Sequence, residues 1–311
     1  MRKVVLVALV GGLLISNIAL AAPPNRCPIK GTTDIAVYTG AGIGSYGWMT
    51  YYLDQLVAAN SGLEYVELDA RDLNRDCTDA DLAGLELFIM PGGTAYGIQD
   101  ALGATGAQRI RNYLDRPNGR YFGACAGFYY VASGYYWKGA DGYPAECVNT
   151  TCKYGIDGVG TYNLSGQLVD GTTNAKNLLN YLDPPNPVLV EGPIEEIAGP
   201  WNTTTGSHDS TVILDGSRQL RTIYWGGATW GYQHTSSNSM PSTTVEANFD
   251  EAGVPSLPAV WMSASGKILG TSVHLEAHIG AGFDEESDGM TACQEKDNFN
   301  YLTEQLNSLV G

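Results

Sequence analysis

The chain has 311 residues and a formal net charge of −16, with only 16% charged residues, so its acidity reflects scarce Lys and Arg rather than an acidic tail. That charge excludes nucleic acid and anionic membrane surfaces as expected partners. The length suffices for one large domain with a sizeable core.

The chain opens MRKVVLVALVGGLLISNIALAA, a basic start, an apolar run and small residues, followed by Pro23-Pro24. This has the form of a secretory signal peptide cut near Ala22, which leaves residues 23–311 as a single domain in a secreted, extracellular protein. Charge or Pro/Gly interrupts every later apolar run, so no membrane span is expected. DIAVYTG (34–40) predicts a buried strand and WMTYYLDQLVAAN (48–60) a helix with its apolar residues on one side. LEYVELDA (63–70) and LELFIMPGG (85–93) predict strands, the second stopped by Pro-Gly-Gly, and AQRIRNYLDR (107–116) a helix. GRYFGAC (119–125) predicts a strand running directly into a helix, AGFYYVASGYY. This alternation predicts an α/β fold, a flavodoxin-like, mostly parallel sheet with helices on both faces.

From about 135 to 220 the pattern loosens into Gly, Asn, Thr and Pro with short strand-like pieces, PVLVEG (187–192) and STVILDG (210–216), which we read as an elaborated insertion in the same domain. RTIYWGG (221–227), PAVWMSA (258–264) and KILGTSVHLE (267–276) predict returning strands, and KDNFNYLTEQLNSLV (296–310) a closing amphipathic helix. Asn149, Asn163 and Asn202 each begin an N-x-S/T triplet, the pattern of a glycan acceptor.

An oxidising compartment favours disulfides among the six cysteines. Cys147 and Cys152 lie close together and are expected to pair. Cys27, before the first strand, is within reach of Cys77 or Cys293, and the sequence does not fix which. Cys125 is poorly placed for a bridge. GIGSYG (42–47) matches the dinucleotide fingerprint G-x-G-x-x-G, with Glu67 and Asp69 at the next strand's end. The same glycines serve a tight strand-to-helix turn without any ligand. The turn reading is preferred, with no cofactor and no metal expected; retention of NAD by the purified protein would favour the other.

The segment GACAG (123–127) has the form G-x-C-x-G between a predicted strand and a predicted helix, the cysteine version of a nucleophile elbow. Such a turn holds the thiol at the strand's C-terminal end, beside helix N–H groups that favour thiolate. A nucleophilic cysteine needs a base and a group to orient it. Of the four histidines, His208 and His234 lie in polar loop-like segments, while His274 ends an apolar strand with Glu276 two residues on. Positions i and i+2 of a strand share a face, so Glu276 is expected to hold the His274 ring toward Cys125. His278, beyond the strand, is the second choice of base. The N–H groups of Ala126 and Gly93 are the expected oxyanion donors, and Gly92, Tyr96, Phe128 and Tyr129 the expected substrate pocket, with Tyr130 and Trp225 nearby. The competing account of Cys125 is a small buried core cysteine.

With these residues the chain resembles the class I glutamine amidotransferase-like superfamily, and most closely the domain found at the N-terminus of biotin–protein ligases, in its secreted standalone form. VYTGAGIG, FIMPGG, IRNYLDRPNGRYFGACAGFYYVAS, YWGG and VHLE carry the resemblance, in that order. It implies Cys125 as nucleophile, His274 as base, Glu276 as third member, and Gly93 and Ala126 as oxyanion donors. It also accounts for GIGSYG as a first strand-to-helix turn. Phe128 and Tyr129 follow Gly127 where amidotransferases carry a nearby Gln, so glutamine is not the expected substrate, and biotin transfer is not carried over. The expectation is a cysteine-dependent hydrolase of C–N amide bonds acting on a small-molecule or peptide amide; the alternative is a non-catalytic secreted binding protein with the same fold.

Overall fold

A computed structural model describes residues 26–131, 134–136, 151–153, 161–163, 193–196, 209–230, 244–254, 256–263, 265–279 and 290–311. The leader, PVLVEG, His208, His234, Cys147, Asn149 and Asn202 lie outside the described residues. Among those described, no helix is long and apolar enough to cross a membrane.

The first half alternates as the sequence predicts: β1 (Ile35–Tyr38), α1 (Tyr46–Ala59), β2 (Tyr65–Leu68), β3 (Leu87–Met90), α2 (Ala95–Leu114), β4 (Tyr121–Ala124) and α3 (Ala126–Val131). Later come β5 (Gly134–Tyr136), β6 (Thr151–Lys153), β7 (Thr161–Asn163), β8 (Pro193–Glu196), β9 (Asp209–Asp215), β10 (Arg218–Tyr224), β11 (Ala228–Trp230), β12 (Thr244–Phe249), β13 (Pro258–Met262), β14 (Ile268–Thr271) and β15 (Val273–His274). A last helix, α4 (Ala292–Val310), closes the chain.

Ten strands form one sheet in the order β15-β10-β9-β12-β13-β14-β4-β3-β1-β2. The run β14-β4-β3-β1-β2 is parallel, and every pairing from β14 back to β15 is antiparallel. The fold is therefore α/β, but the sheet is mixed rather than mostly parallel. The reason is local: β9 and β10 form a hairpin across Gly216, at φ 56°, and β13 turns back on β14 through Gly266, at φ 66°, so neither pair has a crossover helix.

β1, β3 and β4 are buried along their whole length, which requires cover on both faces. Ala36, Tyr38, Phe88, Met90 and Tyr121 pack with Ile98, Leu102, Ile110 and Tyr113 of α2. The alternate residues Ile35, Val37, Leu87, Ile89 and Phe122 pack with Met49 and Leu53 of α1 and Leu302 and Leu306 of α4. Each such large apolar side chain contributes about 1.5–3 kcal/mol of transfer free energy, which outweighs the modest amphipathicity of the helices themselves.

Several boundaries differ from the sequence reading. The loosened region ends earlier than residue 220, because β9 already belongs to the main sheet, while β5, β8 and β11 form a separate three-stranded sheet and β6 and β7 a two-stranded one. The helix expected over AGFYYVASGYY stops at Val131, with β5 at Gly134. The strand expected over KILGTSVHLE breaks at Ser272. α4 starts four residues early because Thr291 and Gln294 form a reciprocal capping box. Cys27 pairs with Cys77, which settles the choice between Cys77 and Cys293, while Cys125 and Cys293 are free. The disulfide is consistent with an oxidising, extracellular setting.

Candidate active site

The turn from β4 to α3 places Cys125. Its φ of 48° is the one positive value at a non-glycine residue among those described, a conformation costing on the order of 1–2 kcal/mol. Four hydrogen bonds hold the turn there. The Cys125 N–H donates to Thr271 O at 2.9 Å, its carbonyl accepts from the N–H of Phe128 (3.0 Å) and of Tyr129 (3.1 Å), and Tyr121 Oη donates to Gly127 O at 2.7 Å. Both glycines of GACAG are required by close approach: a Cβ on Gly127 would lie 1.9 Å from Met90 O, and one on Gly123 2.8 Å from the Gly127 carbonyl. The N–H of Ala126, first in the helix, has no intrahelical acceptor.

His274 arrives from the antiparallel half. β15 pairs with β10 (Ile223 opposite His274), and Thr222 Oγ1 donates to His274 O at 2.9 Å. The Ala277 N–H then donates to His274 O at 3.2 Å, closing a turn that swings Glu276 back onto the ring. His274 Nδ1 and Glu276 Oε1 are 2.8 Å apart and both side chains are fully buried. The pairing predicted from the sequence thus forms, but through a turn rather than along a strand. Burial alone depresses the imidazole pKa; the Glu276 carboxylate and the neighbouring Cys125 sulfur outweigh it and push it up to about 10. Trp48 and Trp225 flank the ring, with centroids 5.3 and 6.2 Å away. Nε2 has no hydrogen-bond partner, and the Cys125 thiol donates instead to Trp225 O at 3.4 Å.

Gly92 fills the space between the members: a Cβ there would lie 2.4 Å from His274 Cε1, 3.0 Å from Ser45 Oγ and 3.2 Å from Cys125 Cβ. Its N–H is taken by Ser45 Oγ at 2.9 Å, so Gly92 is no free donor. Gly93 bridges Ile43 of the GIGSYG turn. The hydrogen bonds of that bridge, Gly44 N–H to Gly92 O (2.9 Å) and Thr94 N–H to Gly42 O (2.6 Å), leave the Gly93 N–H outside the ladder. A Cβ on Gly93 would meet Gly42 O at 2.1 Å, and one on Gly42 would meet Ile98 N at 2.2 Å. Gly42 of GIGSYG is thus required by the close approach of α2, Gly44 lies in ordinary contact with Gly93, and Gly47 faces open space.

Other expected site residues fall elsewhere. Phe128 is core, not pocket: its ring covers Gly270 and packs edge-on to Trp261 at 4.7 Å. Tyr129 is also buried, its hydroxyl donating to Gly226 O at 3.0 Å. Tyr96 lies in the first turn of α2. His278 stacks on Tyr51 and binds Glu295 of α4 at 3.0 Å, so it ties a loop to a helix and does not serve Cys125. Cys152 lies in β6, while its expected partner Cys147 is outside the described residues. The residue missed from sequence is Ser45. Its one local signal is a serine at the position preceding a helix whose hydroxyl makes no cap.

Residues 33–143 match the family model described as biotin-protein ligase, N terminal. Among solved structures, the chain is similar to a glutamine amidotransferase, with 14% identity over 88% of this chain and 98% of that one and a TM-score of 0.49. It is also similar to a ThuA-like protein from Bacteroides uniformis ATCC 8492, with 9% identity over 93% of this chain and 94% of that one and a TM-score of 0.45. No curated protein matches.

Proposed function

We propose that the class I glutamine amidotransferase-like domain of biotin–protein ligase N-terminal type carried by residues 33–143, with the strands that follow it, works as a secreted cysteine-dependent hydrolase of C–N amide bonds. The single observation that carries this is the buried His274–Glu276 pair set beside a cysteine held at positive φ on an elbow. Secretion rests on the leader sequence and on the Cys27–Cys77 bond. The parallel half of the sheet, ordered β2-β1-β3-β4-β14, is taken as its flavodoxin-like frame.

The raised pKa keeps His274 an imidazolium at neutral pH, which favours its pairing with a Cys125 thiolate. The thiolate attacks the amide carbonyl, and the oxyanion is received by the N–H groups of Gly93 and Ala126. His274 gives its Nε2 proton to the departing nitrogen as the C–N bond breaks, leaving a thioester on Cys125. Water then gives a proton to His274 and attacks the thioester, releasing the carboxylic acid and restoring the pair. Glu276 accepts the Nδ1–H bond throughout and holds the ring's tautomer. The substrate class is a small-molecule or peptide amide, with no nucleic acid or membrane partner.

Iodoacetamide at mildly acidic pH, with the modified peptide mapped by mass spectrometry to separate it from exposed Cys293, tests this directly. Cys125 should label, and Cys125→Ser should abolish both that label and turnover across a panel of amides and peptides. An oxidised or inert Cys125 would sink the proposal. One observation favours the alternative, a binding protein without turnover: Cys125 is only 5% exposed. That reading requires a wild type that neither labels nor turns over.

A further inference from the structure

We propose that Ser45 is a positioning residue for the triad: its hydroxyl ties Glu276 to the Gly92–Gly93 turn, so that base and oxyanion donor move as one piece. This rests on the assignment of Cys125, His274 and Glu276 given above.

Serine is among the best helix caps because its oxygen accepts an N–H of the first turn. Ser45 precedes α1 and makes no such bond. Thr291, at the equivalent place before α4, caps in full. Ser45 is 2% exposed and directs its oxygen into the site instead. There it accepts the Gly92 N–H at 2.9 Å, while the Ser45 N–H donates to Gly92 O at 3.1 Å.

The hydroxyl has one proton and two acceptors at 3.4 Å, Gly92 O and Glu276 Oε1. Gly92 O already accepts from the N–H groups of Gly44 (2.9 Å) and Ser45 (3.1 Å), which uses both lone pairs. Glu276 Oε1 accepts only from His274 at 2.8 Å, and it is charged, which makes it the stronger acceptor. The proton therefore goes to Glu276. That contact and the His274 bond meet on one carboxylate oxygen and so fix the plane of the carboxylate, while Oε2 is buried without a partner. Bonds of this kind tighten when substrate closes the site.

The groups facing His274 are Glu276, Cys125 and the rings of Trp48 and Trp225, with Ser45 behind the carboxylate. Ser45→Thr and Ser45→Val have the same shape and differ only in the hydroxyl. Ser45→Val should slow alkylation of Cys125 at pH 6 by about tenfold, the scale of a small misplacement of a reacting group, and shift the His274 Nδ1 proton resonance. Ser45→Thr should stay near wild type in both, with matched melting temperatures. Should neither branched variant melt cooperatively, Ser45→Ala, which adds no atom, carries the expectation of Ser45→Val. Wild-type rates in Ser45→Val, or equal impairment of Val and Thr, overturn the role of Ser45 while Cys125 stays reactive. An unreactive wild-type Cys125 overturns the nucleophile assignment and this role with it.

Discussion

Gly92→Ala is the sharpest perturbation of the site. Gly92 is not among the glycines with positive φ, so alanine meets no backbone penalty and the effect is steric alone. The new Cβ would sit 2.4 Å from His274 Cε1, where ordinary contact begins at 3.4 Å, so the ring must withdraw by about 1 Å. It has little room to do so, with Glu276 holding Nδ1 at 2.8 Å and Trp48 and Trp225 on its flanks. A displacement of about 1 Å costs on the order of a hundredfold in rate, or about 2.7 kcal/mol of transition-state stabilisation. The assay is the second-order rate of Cys125 alkylation at pH 6, with kcat/KM on any amide the panel identifies. Gly47→Ala is the internal control, since a Cβ there meets nothing within 4 Å. It lies inside α1 and should leave reactivity alone while stabilising by about 0.5–1 kcal/mol. Reactivity in Gly92→Ala within twofold of wild type would refute the steric reasoning and the proximity of His274 to the thiol.

Because the folded pKa of His274 is raised, its contribution to stability is fully present below pH 6.5 and is lost as pH rises through about 10. Urea unfolding at pH 6, 8 and 10.5 should show that loss, a few kcal/mol in scale, and Glu276→Gln should flatten it. The Cys27–Cys77 bond closes a loop of 50 residues, so Cys27→Ser should cost about 4 kcal/mol in denaturant unfolding, and adding reductant to the wild type should have the same effect. Phe128→Ala should open a core cavity and cost about 3–5 kcal/mol without changing which amides are accepted; a changed substrate preference would return Phe128 to the pocket.

The centre of the parallel half was legible because β1, β3 and β4 are apolar along their whole length and end at the glycine and cysteine turns that the sequence displays. GACAG was legible as a tight turn from the small residues on both sides of its cysteine, and the approach of Gly127 to Met90 O supplies the steric reason. The antiparallel half was harder. TVEANF of β12 alternates polar and apolar over only six residues, and its partners on both sides, which stabilise it, are recorded by no local pattern. Phe128 stands three residues from Cys125 in sequence, yet the helix turns it into the core. Ser45 shows why a site is only partly legible: the bond that gives it a role reaches a residue 231 positions away.

The break at Ser272 is what brings His274 and Glu276 to Cys125. β14 runs parallel to β4 as far as Thr271, whose carbonyl holds the Cys125 N–H. Had the strand continued straight, His274 would lie two residues past the position level with Cys125, about 7 Å beyond it. Instead the chain leaves β4 and pairs with β10 as β15. The crossing needs room, and Gly227 provides it: a Cβ there would lie 1.7 Å from Ser272 O. The preceding turn is fixed by Tyr129 on Gly226 O and Tyr224 on Gly227 O, so the glycines of YWGG help place His274 as those of GACAG place Cys125. An uninterrupted parallel sheet carries the elbow and the Gly92–Gly93 turn; only a strand that changes partners brings the imidazole to them.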